Sequence, residues 1–426
     1  MTDSLRRVAI VGGSRIPFCR SNTMYADKSN LDMLSAVIDG IVQRFDLAGE
    51  QLDEVMAGAV MTHSRDFNLA REAVLSSRLS PLTTGITLQQ ACGTSLQAAL
   101  NLGAKIACGQ IESGIAAGTD TTSDAPIVFN DKFAHRLINL GQARTMKQRF
   151  AALKGFGPGE FKPVTPKNGE MRTGLSMGQH CERMAQEWQI ARSDQDQLAY
   201  DSHQKAAAAY EDGFFDDLVT PWNGMSRDNN LRADTSLEKL ATLRTVFDKS
   251  SKATLSAGNS TSLTDGAAAV LLCSEEWAKE RNLPIQAYLT TGRSASVDFV
   301  NDEGLLMAPT VAVAEMLQRS GLTLQDFDYY EIHEAFAAQV LCTLKAWESE
   351  EYCSQRLGLE ESLGSIDREK LNIHGSSLAV GHPFAATGAR IVSTLAQILE
   401  EKGSGRGLIS VCTAGGMGVC AILERP

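Results

Sequence analysis

Two stretches of this 426-residue chain follow one plan, and that duplication limits the fold more than any other feature. In the first half, Cys92 precedes an Ala/Leu-rich run and then the glycine-led, strand-like "SGIAAGTD" (113–120). In the second half, "SSLAVGHPFAATGAR" (376–390) precedes a similar run and then "LISVCTAGG" (408–416). Upstream of each lies an Asp-led turn and a strand-like stretch, "LDEVMAGAV" (52–60) and "LQDFDYYEI" (324–332). Two similar α/β units, each giving loops to one centre, would bring Cys92, His382 and Cys412 close to a pseudo-twofold axis.

The remaining patterning agrees. "VAIVGG" (8–13), "AAAVLLCS" (267–274), "GLISVC" (407–412) and "VCAIL" (419–423) are short apolar runs bounded by glycine, as expected of strands covered on both faces. Residues 94–108 and 387–403 carry helical apolar spacing, with Lys402 and Gly403 as a stop signal for the second. Residues 123–247 break the pattern. They include a Gly/Pro-rich loop (155–169), followed by two helices divided near 191–193, where Ser193 is a candidate N-cap. This region reads as an α-rich lobe inserted between the halves.

Composition excludes several classes. No apolar run of about 18 residues is present, so no membrane span is expected. The first residues lack a signal-peptide h-region. The nine cysteines are scattered and without CxxC spacing, which points to a reducing cytoplasm and away from disulfides or structural zinc. A net charge of −11 argues against nucleic acid as a partner. Residues 132–172 nevertheless hold nine basic and two acidic side chains. Such an island fits a small anionic ligand, a partner surface or a plain solvated face.

Four residues could carry chemistry. Cys92 sits where a helix should begin, so dipole and free N–H groups could stabilise a thiolate or a developing oxyanion. The plain alternative is a small buried hydrophobe. His382, between Gly381 and Pro383, would point from a second helix mouth, with Pro383 at an early helical position. His333 lies at a strand-to-helix change, with Glu334 expected in the first helical turn. Cys412 ends an apolar strand before Ala414-Gly415-Gly416, either a close-approach turn for a ligand or simply a tight hairpin.

Taken together and in order, "QQACGTSLQA", "SAGNSTSLTDGAAAV", "IHEAFAAQ", "GSSLAVGHPFAATGAR" and "CTAGGMGV" resemble the signature blocks of the thiolase family across roughly residues 8–423. The resemblance implies an α/β fold of five layers, α-β-α-β-α. It has two similar halves (1–122 with 248–276, and 277–426) and an inserted loop domain (123–247) that holds coenzyme A. It implies a 3-ketoacyl-CoA thiolase with CoA as substrate, no permanently bound cofactor and no metal. Cys92 would be the nucleophile, His382 its base, His333 an enolate-oxygen donor and Cys412 the proton shuttle. The N–H groups of Cys92 and Ala414 would form an oxyanion hole. Phe247, Ser256, Gly258 and Thr261 would contact CoA, while Met177 and Phe336 would line the substrate. His333, where many biosynthetic thiolases carry Asn, and "INLGQARTMKQRF" (138–150) resemble the thiolase subunit of fatty-acid β-oxidation complexes. That implies a homodimer or dimer of dimers and an enoyl-CoA hydratase/3-hydroxyacyl-CoA dehydrogenase partner. The chain departs from the family at Ala414, usually Gly, and at Ser176, often His. The alternatives are a biosynthetic acetoacetyl-CoA-forming thiolase, a decarboxylating ketoacyl synthase, which needs no second cysteine, and a non-catalytic lipid-binding relative, which would lack Cys92.

Overall fold

The computed structural model describes residues 5–426. The first half runs β1 (Val8–Arg15), β2 (Cys19–Arg20), α1 (Asn30–Arg44), β3 (Glu54–Gly58), α2 (Leu69–Ser76), β4 (Thr84–Thr87), α3 (Thr94–Ala107) and β5 (Ser113–Asp120). The lobe holds α4 (Asp131–Gln142), α5 (Met146–Leu153), α6 (Met177–Glu187), α7 (Arg192–Glu211) and α8 (Leu237–Ala241). The chain then returns through β6 (Thr264–Ser274), α9 (Glu275–Glu280) and β7 (Ala287–Ser296). The second half closes with α10 (Ala308–Ser320), β8 (Tyr329–Ile332), α11 (Ala337–Glu348), α12 (Glu350–Leu357), α13 (Ser377–Val380), α14 (Thr387–Lys402), β9 (Gly405–Thr413) and β10 (Met417–Arg425).

The strand order is β4-β3-β5-β6-β1-β7-β10-β9-β8, with β2 beside β6. The duplication is visible in the pairing. β3 runs parallel to β5, and β5 antiparallel to β6; likewise β8 runs parallel to β9, and β9 antiparallel to β10. The halves meet through a short β1–β7 contact, Ala9 with Tyr288 and Ile10 with Ala287.

Alternation along the strands sorts their side chains into separate cores, because successive residues face opposite ways. Ile10, Ala268, Val270, Val411 and Ala421 pack with α3 and α14 in a central core. Their neighbours Ala9, Val11, Ala267 and Ala269 pack with α1 and α2. Leu408, Cys420 and Ile422 pack with α10 and α11. The result is five layers, helix–sheet–helix–sheet–helix, with α3 and α14 in the middle. The expected strands and the two central helices form as the patterning predicts. Three local expectations fail. Ala191, not Ser193, is the N-cap of α7. Glu334 lies before α11, in the link from β8. Pro383 caps a short 3-10 turn, Phe384–Ala386, and α14 starts only at Thr387.

The centre depends on how closely α3 and α14 approach. A Cβ on Gly388 would collide with the backbone of Leu96, and one on Gly118 with the carbonyl of Ala385. Ser95 stitches the gap: its Oγ donates to Ala385 O (2.5 Å) and accepts from Ala389 N (2.8 Å). The lobe is rooted by buried charge. Arg15 at the end of β1 pairs with Asp228 at 2.6 and 2.8 Å, and Asp228 also accepts from Phe18 N and Tyr210 Oη. Its outer part differs: no residue of α4 or α5 is buried.

Gly388→Ala should separate the two helix mouths. The expected outcome is a loss of about 1–3 kcal/mol, as for other overpacked sites, measured by urea unfolding. A larger fractional loss should appear in Cys92-dependent activity.

Candidate active site

Each mouth is shaped by its own sequence. Before α3, Ala91 holds the left-handed conformation (φ 47°), which turns the chain so that Cys92 projects from the helix start. Thr94 secures the turn, donating to Ala91 O (2.7 Å) and accepting from Gln90 N (2.9 Å). Gly93 is the N-cap and offers no side-chain acceptor, so the helix end stays electropositive. Before α14, His382 is fixed by its N–H on Thr264 Oγ1 (2.7 Å). The turn after it is held by Asp120, which accepts from Ala385 N (2.9 Å), Val60 N and Met61 N.

The crossing of α3 and α14 brings these mouths together. His382 Nε2 lies 3.2 Å from Cys92 Sγ, and His382 Nδ1 lies 2.6 Å from Thr387 Oγ1. The imidazoles of His333 and His382 are 4.1 Å apart between ring centres. His333 is wholly buried; its Nδ1 meets Ser377 Oγ at 2.8 Å, and its Nε2 has no partner. Cys412 is buried at the end of β9, and the Ala414–Gly416 turn follows it, with Gly415 and Gly416 at φ 77° and 69°. The turn is a hairpin between β9 and β10, and its Ala414 lies near the sulfur of Cys92. Glu170 of the lobe holds it by accepting from Gly415 N (2.9 Å).

Burial sets the electrostatics. It pushes the Cys92 thiol up to about 12, against the opposing pull of the backbone at Ala414 and at Cys92 itself. Burial, with Arg390 adding to it, lowers His382 to about 3. Burial also depresses His333, reinforced by His382 and Arg390. The Cys412 thiol is raised by burial and then by the nearby Cys92 charge. All four shifts favour the uncharged forms, neutral imidazoles and thiols, in the resting site. Cys92, His333 and His382 also place three possible metal-ligand atoms within 4.8 Å of one another. That donor set suits zinc, but it is built from the same atoms that face each other as thiol and base.

The remaining expected residues fall into two groups. Phe336, Met177 and Phe247 share one apolar cluster with Cys412, and the rings of Phe247 and Phe336 meet edge to face at 5.8 Å. Ser256 is wholly buried, accepting from Gly258 N, while Thr261 donates to Ala335 O from both N and Oγ1. Thr261 thereby braces the segment that follows His333. Sequence reasoning missed Asp120, Ser377, Thr387 and Arg390. Only the doubled serine of "GSSLAVGHP" offered a signal, because polar residues in an otherwise apolar approach to a helix need partners.

A partly buried thiol on a histidine imidazole, at the start of a helix and near a second thiol, fits an acyl-transfer site of the cysteine–histidine type. Comparison with known proteins gives the same class. The family model described as "Thiolase, N-terminal domain" matches residues 8–276, and "Thiolase, C-terminal domain" matches residues 284–425. A 3-ketoacyl-CoA thiolase of Shewanella denitrificans is 39% identical over 98% of this chain and 97% of its own. Human mitochondrial 3-ketoacyl-CoA thiolase in complex with CoA superposes with a TM-score of 0.81 at 26% identity, covering 99% of this chain and 98% of that one. Bacillus anthracis acetyl-CoA acetyltransferase gives 0.81 at 28%, covering 99% and 100%. The chain belongs to the thiolase family, and it is an acyltransferase.

The resting protonation state is open to test. Iodoacetamide should alkylate Cys92 at a rate that climbs steadily between about pH 6 and pH 9, because the thiolate fraction is still growing there. An early plateau would instead reveal a preformed thiolate–imidazolium pair. His382→Ala should slow the reaction at every pH.

Proposed function

We propose that this chain is a 3-ketoacyl-CoA thiolase of fatty-acid β-oxidation, cleaving its substrate with CoA into acetyl-CoA and a shortened acyl-CoA. The observation that carries this reading is the pair of thiols: Cys92 on the His382 base, and Cys412 buried beside them. A decarboxylating synthase has no use for the second thiol. His382 Nε2 takes the Cys92 proton, and the thiolate attacks C3 of the 3-ketoacyl group. The C2–C3 bond breaks, leaving the acyl group on Cys92 and an acetyl-CoA enolate. His382 and His333 donate to the enolate oxygen, and Cys412 protonates its carbon. CoA then gives its thiol proton to Cys412 and attacks the thioester, whose oxyanion the Cys92 and Ala414 N–H groups receive. Cys92 leaves as thiolate and recovers its proton from His382. The likeness to an acetyltransferase structure supports the same chemistry run toward condensation.

CoA binding by the lobe is supported by the likeness to a CoA-bound structure and by the Phe247–Phe336–Met177 cluster beside Cys412. A homo-oligomer is supported by β4, an edge strand with Leu82 and Ile86 exposed nearby. A partner subunit is supported by the lobe tip, where Ile138, Met146 and Phe150 are exposed among the basic residues; bare phosphate recognition would not need them. No helix of the described residues is long and apolar enough to cross a membrane. A cytoplasmic setting is supported by nine cysteines that are all unpaired.

CoA-dependent loss of 3-ketoacyl-CoA absorbance, followed across short- to long-chain substrates, tests the reading. Turnover should be ping-pong, and Cys92→Ala should abolish it. Cys412→Ser should lower kcat by about 10²–10⁴-fold, the range for loss of an acid–base group. No cleavage at any chain length, or wild-type turnover in Cys92→Ala, would overturn it.

A further inference from the structure

We infer that Arg390 and Ser377 are positioning residues which hold His333 in one tautomer, with its proton on Nε2, and so divide the work between the two histidines. The tautomer follows from hydrogen-bond accounting. Arg390 is buried at the second turn of α14, and its Nη2 donates to Ser377 Oγ at 2.8 Å and to Ser376 Oγ at 3.2 Å. A guanidinium has no acceptor. Ser377 is itself wholly buried, and its other partner is His333 Nδ1 at 2.8 Å. Of those two partners only Nδ1 can take the serine proton.

If Ser377 donates to Nδ1, a neutral His333 carries its hydrogen on Nε2. If instead Nδ1 carried the hydrogen, two groups would be orphaned: the Ser377 proton and the Nε2 lone pair. Each buried orphan costs about 1–3 kcal/mol. Within the serine–histidine pair the first arrangement leaves a single unpartnered group, Nε2–H, on a ring that clusters with Cys92 and His382. The orphan is therefore a donor awaiting an acceptor that substrate supplies. His382 differs, because Thr387 carries no cationic donor among its contacts and can accept from Nδ1–H, leaving Nε2 free to take the Cys92 proton. The charged groups facing His333 agree. Arg390 and the neighbouring His382 both oppose a cationic His333, and Glu331, whose carboxyl burial raises to about 8, lies 3.7 Å from Arg390 Nη1.

The tautomer assignment stands on geometry alone; its kinetic consequence rests on the thiolase reading above. Two readouts keep these apart. Protein labelled with ¹⁵N-histidine, with His333 assigned by the signal lost in His333→Asn, reports which ring nitrogen is protonated. The expected result at neutral pH is Nε2–H in the wild type. In Ser377→Ala the tautomers should mix. In Arg390→Gln, whose amide oxygen can accept from Ser377, Nδ1–H should gain. Arg390→Lys, still a pure donor, should keep Nε2–H. In the cleavage assay, Ser377→Ala and Arg390→Gln should lose up to about 10²–10³-fold in kcat, the range for one oxyanion donor, with KM little changed. Arg390→Lys should recover most of it. Nδ1–H in the wild type overturns the assignment, and so does unchanged Nε2–H in both disrupted variants. If Ser377→Ala fails to fold, the wild-type spectrum and the Arg390 pair still decide it. A correct tautomer without thiolytic activity would count against the thiolase reading alone.

Discussion

Everything at the centre of this molecule depends on one close crossing, that of α3 over α14 at Gly388 and Ser95. The absence of a side chain at Gly388 lets the start of one helix rest on the backbone of the other. Ser95 then satisfies a carbonyl and an N–H on the opposite side. Neither helix needs a side-chain cap at its own N-terminus, because the crossing and its flanking turns supply the order. Two helix mouths become one site, and each brings a different reagent: a thiol from the first half and an imidazole from the second.

The site stores its reactivity in neutral form. Burial that lifts Cys92 and depresses His382 makes separated charge expensive until a substrate carbonyl can take it. In the proposed mechanism the donors needed at that moment, backbone N–H groups and the imidazole N–H inferred for His333, are fixed in advance, so little reorganisation would accompany the chemistry. Desolvation here sets the timing of ionisation and does not prevent it.

The sequence carried the architecture because repetition is a pattern along the chain. Glycine-bounded runs marked the strands, and the matched order of Cys92 and "GHPFAATGAR" anticipated the central pair of helices. Cys92, His333, His382 and Cys412 were readable because each sits at an element boundary. Asp120, Ser377 and Arg390 were not. Arg390 falls within a helical run and looks like any charged helix residue; its meaning comes from burial, which depends on the layer that covers it. Ser193 was misjudged for a related reason: it is a good capping residue, yet the chain enters α7 two residues earlier, where Arg192 can pair with Asp196 at 2.7 Å.

The buried pair of Arg15 and Asp228 has a consequence for how such a chain can change over time. Removing either partner would strand a charge in the interior, at a cost of about 3–5 kcal/mol. The base of the lobe is therefore locked to the first strand of the protein and must be inherited with it. At the other end, α4 and α5 bury nothing, and the contacts of Arg136 with Glu160 and of Phe133 with Phe161 stay within the tip. Length and composition can drift there at little energetic risk. The molecule thus has an energetically constrained root and an editable crown, where new associations could arise while the reaction centre stays as it is.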